Sequence, residues 1–228
     1  HLILFNKSGA LMNKYVKRYC IDAMSGMAQG LFASLLLGTI IKTLGQQLLR
    51  LGTNPVFQFL VDAGNFATEA HVVGAAMAVG IGFAMSVPAL VLFSLVAVGA
   101  AANVTGGAGG PLAVLIIAII AAECGCLVSK KTKVDIIVTP AVTILVGALL
   151  TVLTAKYIGV AASAVGKVIV WSTKLHPFWM GILVSVIVGV ALTLPISSAA
   201  ICAAFGLTGL AGGAAVAGCC AQMVGFAI

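Results

Sequence analysis

The sequence predicts an all-α integral membrane protein of about eight transmembrane helices, arranged as two repeated four-helix units with short paired helices and Gly/Pro breaks. The first observation is composition: 62% of the residues are hydrophobic and 7% are charged, whereas soluble domains carry roughly 25% charged residues. The second is a set of long apolar runs, at 31–41, 72–104, 112–122, 142–153, 181–194 and 196–226. Because lipid offers the backbone no hydrogen bonds, we expect these runs to be helical.

The third observation is an internal repeat. A shift of 107 residues matches five of the seven Gly/Pro positions between Gly74 and Gly107. The matched positions are Gly74, Gly82, Pro88, Gly99 and Gly106, which become Gly181, Gly189, Pro195, Gly206 and Gly213. A basic cluster followed by an aspartate also recurs, ending at Asp22 and at Asp135. The sequence therefore predicts a duplicated membrane unit, with a basic cytoplasmic leader at 1–18, one repeat at 19–129 and a second at 130–228.

The first repeat is expected to contain a long helix, an amphipathic interfacial segment, two short paired helices and a closing helix. Their expected bounds are about 20–44, 45–70, 71–87, 89–104 and 111–128. Pro88 separates the paired helices because proline interrupts helical hydrogen bonding, and the glycines of 106–110 form a loop before the closing helix. The second repeat is expected to have helices at about 134–155, 177–194, 196–209 and 214–228, with an amphipathic connector at 156–175.

Charge sets the expected orientation. Four spans per repeat return the chain to the same side, so the repeat would be parallel and both basic clusters would be cytoplasmic. If one short helix is re-entrant, the repeat becomes inverted. The net charge of +7 lies mainly at predicted helix ends, which favours topology and anionic lipid headgroups over nucleic acid.

Neither catalysis nor a metal site is indicated. The six cysteines lie in or beside apolar segments, where packing is their commoner role. No Ser-His-Asp or Cys-His arrangement, paired catalytic carboxylates or metal-ligand spacing stands out. The sequence therefore predicts no enzyme activity of its own, no cofactor and no metal.

Glu123 is the most informative candidate residue. It lies about two turns inside an apolar helix, and an intramembrane carboxylate is costly, so it suggests a substrate or proton site. The alternative is that it caps a neighbouring helix or pairs with a lysine of 130–133. Gln222 occupies a related position in the second repeat if the glycine-rich loop is shorter there. Both are predicted to bind substrate.

Two polar breaks supply further candidates. Asn103 and Thr105 flank the glycines of 106–110, and non-helical backbone at membrane depth is tolerated where it is buried in protein or lines a cavity. The alternative is an exposed turn. Ser197 and Ser198 follow Pro195, where hydroxyls can satisfy the carbonyls that proline frees; that structural role is favoured over solute binding.

Three titratable residues form a second group. Glu69 and His71 lie at a membrane boundary, where an interfacial position is the commoner reading and a proton or ion relay the alternative. Asp22 lies in the first turn of the first helix, where the dipole favours a carboxylate, and is included in the candidate relay.

Several segments of the chain are distinctive. They are Lys17-Arg18-Tyr19, Ile21-Asp22-Ala23-Met24, Ala28-Gln29-Gly30-Leu31-Phe32-Ala33-Ser34-Leu35, Gly38-Thr39-Ile40-Ile41-Lys42-Thr43-Leu44-Gly45-Gln46-Gln47, Leu92-Phe93-Ser94-Leu95-Val96-Ala97-Val98-Gly99-Ala100-Ala101-Ala102-Asn103, Lys133-Val134-Asp135-Ile136, Thr193-Leu194-Pro195-Ile196-Ser197-Ser198-Ala199-Ala200-Ile201-Cys202 and Ala217-Gly218-Cys219-Cys220-Ala221-Gln222-Met223. They resemble the phosphotransferase-system EIIC family, some of whose members carry the toxin-regulator name PfoR. The resemblance covers nearly the whole chain after residue 14.

The resemblance implies a multi-pass permease subunit in the bacterial cytoplasmic membrane, moving a small polar solute such as a sugar by alternating access. It implies separate EIIA and EIIB phosphocarrier partners, because nothing here resembles their phosphorylated Cys or His, and it makes a homodimer the expected assembly. Family members run further at the C terminus, so the chain is expected to be part of a longer protein. The alternative is a membrane-embedded sensor or regulator without net transport. The sequence has only two Trp, which counts against stacking on a sugar and leaves an anion or another metabolite open.

Overall fold

The computed structural model describes residues 17–52, 54–131, 134–172, 177–191 and 209–227, and the regular structure of these residues is helical. In the first part of the chain a π-helical turn, Lys17–Asp22, leads into α1, and a second π-helical segment, Phe32–Leu36, separates α1 from α2. The α-helices are α1 (Ala23–Leu31), α2 (Leu37–Leu51), α3 (Pro55–Thr68), α4 (Ala70–Ala84), α5 (Ala89–Gly106), α6 (Gly110–Val128), α7 (Asp135–Leu150), α8 (Lys156–Ser172), α9 (Pro177–Ala191) and α10 (Gly209–Ala227).

The described residues form two compact units. The first unites those up to Val104 with Val114–Val152, and the second unites Thr105–Ala113 with those from Leu153 onward. These units reflect packing density, whereas the predicted boundary at residue 130 reflects a repeat in the sequence. The predicted domain bounds stay a prediction.

Glycine contacts hold the first compact unit together. In α1 and α4, Gly26 and Gly80 approach so closely that a methyl carbon added to either would overlap the carbonyl oxygen of the other. On another face of α4, Gly74 has the same relation to Gly99 of α5. Close approach of small residues is the usual basis of helix association in lipid, where hydrophobic burial gives no advantage. α4 is therefore clamped between α1 and α5.

Larger side chains fill the space around these contacts. Met77, Ile81, Val91 and Leu95 of α4 and α5 are fully buried. Side chains of α6 and α7 complete this core; they are Val114, Ile117, Thr139 and Thr143. Burial of the two threonines leaves neither hydroxyl without a hydrogen bond. Thr139 donates to the Asp135 carboxylate, and Thr143 donates to the carbonyl of Thr139.

Helix pairing also organises the second compact unit. Gly218 of α10 lies against the backbone of Ser185 of α9, where a Cβ would overlap the serine carbonyl. α8 packs against the 3₁₀ turn Gly107–Gly109 that joins α5 to α6. At that point Gly159 lies beside the carbonyl of Gly106.

The described residues include four helices long and apolar enough to cross a membrane, which are Lys17–Arg50, Ala89–Gly106, Gly110–Val128 and Asp135–Ala161. The pair α3 and α4, bent by 55° at its break, makes a fifth if it is counted as one span. The all-helical prediction is thus confirmed for the described residues. The layout of eight spans in two repeats stays a prediction, and the helix expected at 196–209 lies mostly outside the described residues.

Several bounds differ from those expected. The first helical run continues to Leu51 rather than ending near residue 44, and it ends at Gly52, whose backbone is extended with φ of 173°. The expected connector at 156–175 is instead a helix, α8, continuous with α7 through the π-helical segment Thr151–Ala155. In both places polar residues suggested a break that the backbone does not make.

Candidate functional site

Glu123 forms an ion pair with Arg18. The distance from Arg18 Nη2 to Glu123 Oε1 is 3.0 Å, and the two side chains are 40% and 34% exposed. Arg18 lies on the π-helical turn that precedes α1, and Glu123 lies near the end of the otherwise apolar α6. The partner is therefore an arginine from the start of the chain, not one of the lysines of 130–133.

The pairing leaves hydrogen-bonding capacity unused. Arg18 Nε and Glu123 Oε1 are both shielded from solvent, and neither makes a hydrogen bond of proper geometry to another described residue. Because Glu123 Oε1 lies 3.0 Å from Arg18 Nη2, the two charges compensate each other, and Arg18 Nε–H is the donor that still lacks an acceptor among the described residues. The Arg18 guanidinium carbon also lies 5.9 Å from the centre of the Tyr19 ring, within cation–π range.

Asn103 has a structural contact. Its side-chain amide nitrogen donates to the carbonyl oxygen of Ala70 over 2.7 Å. This bond ties the C-terminal part of α5 to the first residue of α4, beside the Gly74–Gly99 contact.

The glycine-rich segment is more regular than expected. α5 ends at Gly106, one 3₁₀ turn follows, and α6 begins at Gly110. Gly107 has φ of +52°, a left-handed conformation that glycine adopts without strain. Gly106, Gly109 and Gly110 are buried, whereas Thr105 is exposed. The segment is thus packed inside the second compact unit rather than exposed along its whole length.

Gln222 lies in a groove of the second compact unit. The groove has a volume of about 420 Å³ and is lined by Ser185, Val186, Gly189 and Val190 of α9 and by Gly218, Ala221 and Gln222 of α10. Among these lining residues, Ser185 and Gln222 have the polar side chains. The groove lies directly next to the close contact between Gly218 and Ser185, which sets the spacing of its walls.

The candidate relay residues are not brought into contact with one another. Glu69 and His71 are both exposed, and Glu69 precedes α4 without capping it through its side chain. Asp22 lies in the π-helical turn rather than at a free helix start. Ser197 and Ser198 lie outside the described residues.

Two residues of these sites were not singled out from sequence. Arg18 was read as one of a basic cluster, and Ser185 as one apolar-run residue among many. Arg18 has the only guanidinium in its cluster, which is the group best suited to pair a carboxylate. Ser185 precedes Gly189 by one helical turn, a spacing that places both on one face.

Comparison with known proteins identifies a family. A family model described as "Phosphotransferase system, EIIC" matches residues 21–228. No curated protein and no solved structure matches the chain significantly.

Proposed function

The chain belongs to the phosphotransferase-system EIIC family, and on that premise we propose that it carries a small hydroxyl-rich solute across the bilayer by alternating access, with Arg18 and Glu123 at the binding site. Membership of the family and the apolar helices make it an integral membrane protein with a permease-type role. The choice of solute, the mechanism and the site are the proposal.

The observation that carries this proposal is the Arg18–Glu123 ion pair, in which Arg18 Nε–H has no acceptor among the described residues. Glu123 Oε1 already lies 3.0 Å from Arg18 Nη2, but a carboxylate oxygen has two lone pairs and can accept a second hydrogen bond. One hydroxyl oxygen can accept from the arginine while a neighbouring hydroxyl donates to the carboxylate. A vicinal diol, as found in sugars, satisfies both atoms together.

Charge favours the same class of solute. The ion pair is neutral overall. At this place an anion would be repelled by the Glu123 carboxylate, and a cation would be repelled by the Arg18 guanidinium. A neutral polyol is repelled by neither group.

Further hydrogen bonds to the solute are proposed for Gln222, Asn103, Thr105, Ser197 and Ser198. A relay that couples transport to ions is proposed for Glu69, His71 and Asp22.

The setting of this function follows from the family. We propose the bacterial cytoplasmic membrane as the location, EIIA- and EIIB-type phosphocarrier proteins as partners, and a homodimer as the assembly. Phosphoryl transfer would then be performed by the partners, and this chain would bind and release the solute.

Uptake of radiolabelled sugars into proteoliposomes tests the proposal, using the full-length protein as wild type, Glu123→Gln and Arg18→Gln. Loss of one charge-assisted hydrogen bond costs about 1.5–3 kcal/mol, so we expect uptake to fall at least about tenfold in each variant. Asp62→Asn is the matched control, because it removes an exposed carboxylate outside both the pair and the proposed relay, and its uptake should stay within about twofold of wild type.

A charge swap separates binding from simple pairing. In the double variant Arg18→Glu with Glu123→Arg the ion pair can form again, but the donor and acceptor positions are exchanged. We expect the thermal stability of the double variant to return toward that of the wild type, above that of either single variant, while its uptake stays low. If the Glu123→Gln variant takes up sugar at the wild-type rate, the assigned site is refuted. If the wild-type protein gives no flux for any sugar tested, a sensor or regulator is favoured instead.

A further inference from the structure

α2 and α3 form an antiparallel hairpin, which we call the amphipathic arm. Gly38 lies against Ala67, and Gly45 lies against Val61. Between them Gly64 touches the backbone of Lys42. The residue numbers run in opposite directions along this contact line, so the two helices are antiparallel. The glycines bring the backbones close, as at the α1–α4 contact.

Each helix of the arm carries one polar face. On α2, six polar residues fall within an arc of about 140° at 100° per residue. They are Thr39, Lys42, Thr43, Gln46, Gln47 and Arg50. On α3 and its C-terminal cap, the corresponding arc is about 60° wide. Its members are Gln58, Asp62, Asn65 and Glu69. All of these side chains are exposed except that of Lys42, which is half-buried.

The two polar faces lie on the same side of the arm. On both helices the polar arc is centred roughly 120° from the contact line, in the direction of increasing residue number. Because the helices are antiparallel, the same rotation on each turns both arcs toward one side. Gln58 and Asp62 are hydrogen-bonded to each other there, over 3.1 Å.

The opposite side of the arm is apolar and equally exposed. Phe66 is 71% exposed, Phe59 67% and Val56 60%. Leu44 and Ile40 of α2 continue this side. A hairpin surrounded by water would not expose two phenylalanines beside these aliphatic residues, and one surrounded by hydrocarbon would not carry Lys42, Arg50, Asp62 and Glu69.

The geometry of the chain on either side agrees with a position between the two solvents. α3 is bent by 55° from α4 at Glu69, whereas membrane-spanning helices are tilted by about 20° on average. Residues 17–36 amount to about 30 Å of helix, which is enough to cross the hydrocarbon core without α2.

We propose that the amphipathic arm lies flat in the lipid–water interface, with its phenylalanine side in the acyl boundary and its polar side in water. The first membrane crossing then consists of residues 17–36, and α2 belongs to the surface rather than to the span. The partner of the apolar side is the bilayer itself. This inference does not depend on which solute the protein carries, or on whether it carries one.

Depth measurement tests the proposal. In the full-length protein, with Trp171 and Trp179 replaced by Phe, single tryptophans are introduced as Phe59→Trp or Phe66→Trp. Fluorescence is then quenched by lipids brominated at different acyl positions. We expect both positions to be shallow and at the same depth. In a spanning helix, seven residues separate the two depths by about 10 Å.

Ile137→Trp and Ile144→Trp provide the matched control, because they are also seven residues apart but lie on α7, a candidate span. Their depths should differ by roughly 10 Å. If Phe59→Trp and Phe66→Trp differ in depth as the control pair does, the arm spans the bilayer and the proposal is overturned. Val56→Trp and Ala63→Trp repeat the measurement on the same helix if either phenylalanine variant fails to fold.

The polar side gives an independent readout. With the native cysteines replaced, Gln46→Cys and Asn65→Cys should react with a water-soluble maleimide at about the rate of an exposed loop position such as Gly52→Cys. Slow reaction at both, with Gly52→Cys fast, would mean that the polar side is covered by protein or lipid and would overturn the proposal.

Discussion

The contact between Gly26 and Gly80 is the tightest helix approach around α4, and it leaves no room for a side chain on either helix. Replacing Gly80 by alanine would push α1 and α4 apart, and such overpacking typically costs about 1–3 kcal/mol. We therefore expect Gly80→Ala to lower the midpoint of thermal unfolding in detergent micelles, although alanine is the better helix former.

Gly52→Ala is the control for this prediction. A methyl carbon added to Gly52 would have no other atom within 4 Å, and the backbone there is extended, with φ of 173°, so alanine fits without strain. Its effect on the free energy of unfolding should stay within about 0.5 kcal/mol. Equal midpoints for the two variants would show that the α1–α4 contact is looser than described.

Individual site residues differ in how far the sequence alone identifies their role. Glu123 was identifiable because a lone carboxylate in an apolar run is costly. Its partner was not, because Arg18 lies far away along the chain and only the packing of α6 against the start of the chain brings the two together. Asn103 was likewise predicted as polar and important, but its bond to Ala70 depends on how α4 and α5 cross.

At the scale of elements, the end of α4 stores strain that a single substitution can remove. Ser86 has φ of 55°, in the left-handed region that costs a non-glycine residue about 1 kcal/mol. The amide of Val87 reaches back to the carbonyl of Gly82, which closes the helix in the manner of a C-cap. We expect Ser86→Gly to raise the thermal midpoint, by about 1 kcal/mol in stability.

Ser86→Ala separates this effect from loss of the hydroxyl. Alanine removes the same side-chain oxygen but keeps the Cβ that disfavours positive φ, so it should give no gain. A rise of similar size in both variants would show that the hydroxyl, rather than the backbone conformation, limits stability at this position.

Element ends were predictable where chemistry marks them and not elsewhere. Pro88 and the glycines after Asn103 allowed the bounds of α4 and α5 to be placed within a few residues. The π-helical segments Phe32–Leu36 and Thr151–Ala155 have no comparable marker, because a π turn depends on a shift in hydrogen-bond register rather than on one residue type. The continuity of α7 with α8 was missed for the same reason.

At the scale of the whole molecule, the helix bounds recur in a regular way. Ala70–Ala84 shifted by 107 residues gives Pro177–Ala191, and Gly110–Val128 shifted by 99 gives Gly209–Ala227. The π-helical segment Phe32–Leu36 shifted by 119 residues gives Thr151–Ala155. The shift between the two copies therefore decreases from 119 to 107 residues before α9. At that point four residues separate Ser172 from Pro177, which is too few for a helix as long as α3. These agreements support the proposed duplication, with the second copy lacking a counterpart of α3.

Duplication makes a prediction about orientation. In the parallel arrangement the chain crosses the bilayer four times between Lys17 and Lys131, through residues 17–36, α4, α5 and α6. An even number of crossings returns the chain to its starting side, and positive residues favour the cytoplasm. In a background without native cysteines, we expect Lys17→Cys and Lys131→Cys to react with an impermeant maleimide from the cytoplasmic side only.

Gly52→Cys is the matched control, because one crossing separates it from Lys17 and it should react from the opposite side. Right-side-out and inside-out vesicles compared in parallel give the orientation of each position. If Lys17→Cys and Lys131→Cys react from opposite sides, an odd number of crossings lies between them, one of the short helices is re-entrant, and the repeat is inverted. In that case the two copies would be related by an axis in the membrane plane, and the two states of the alternating-access cycle would follow from exchanging their conformations.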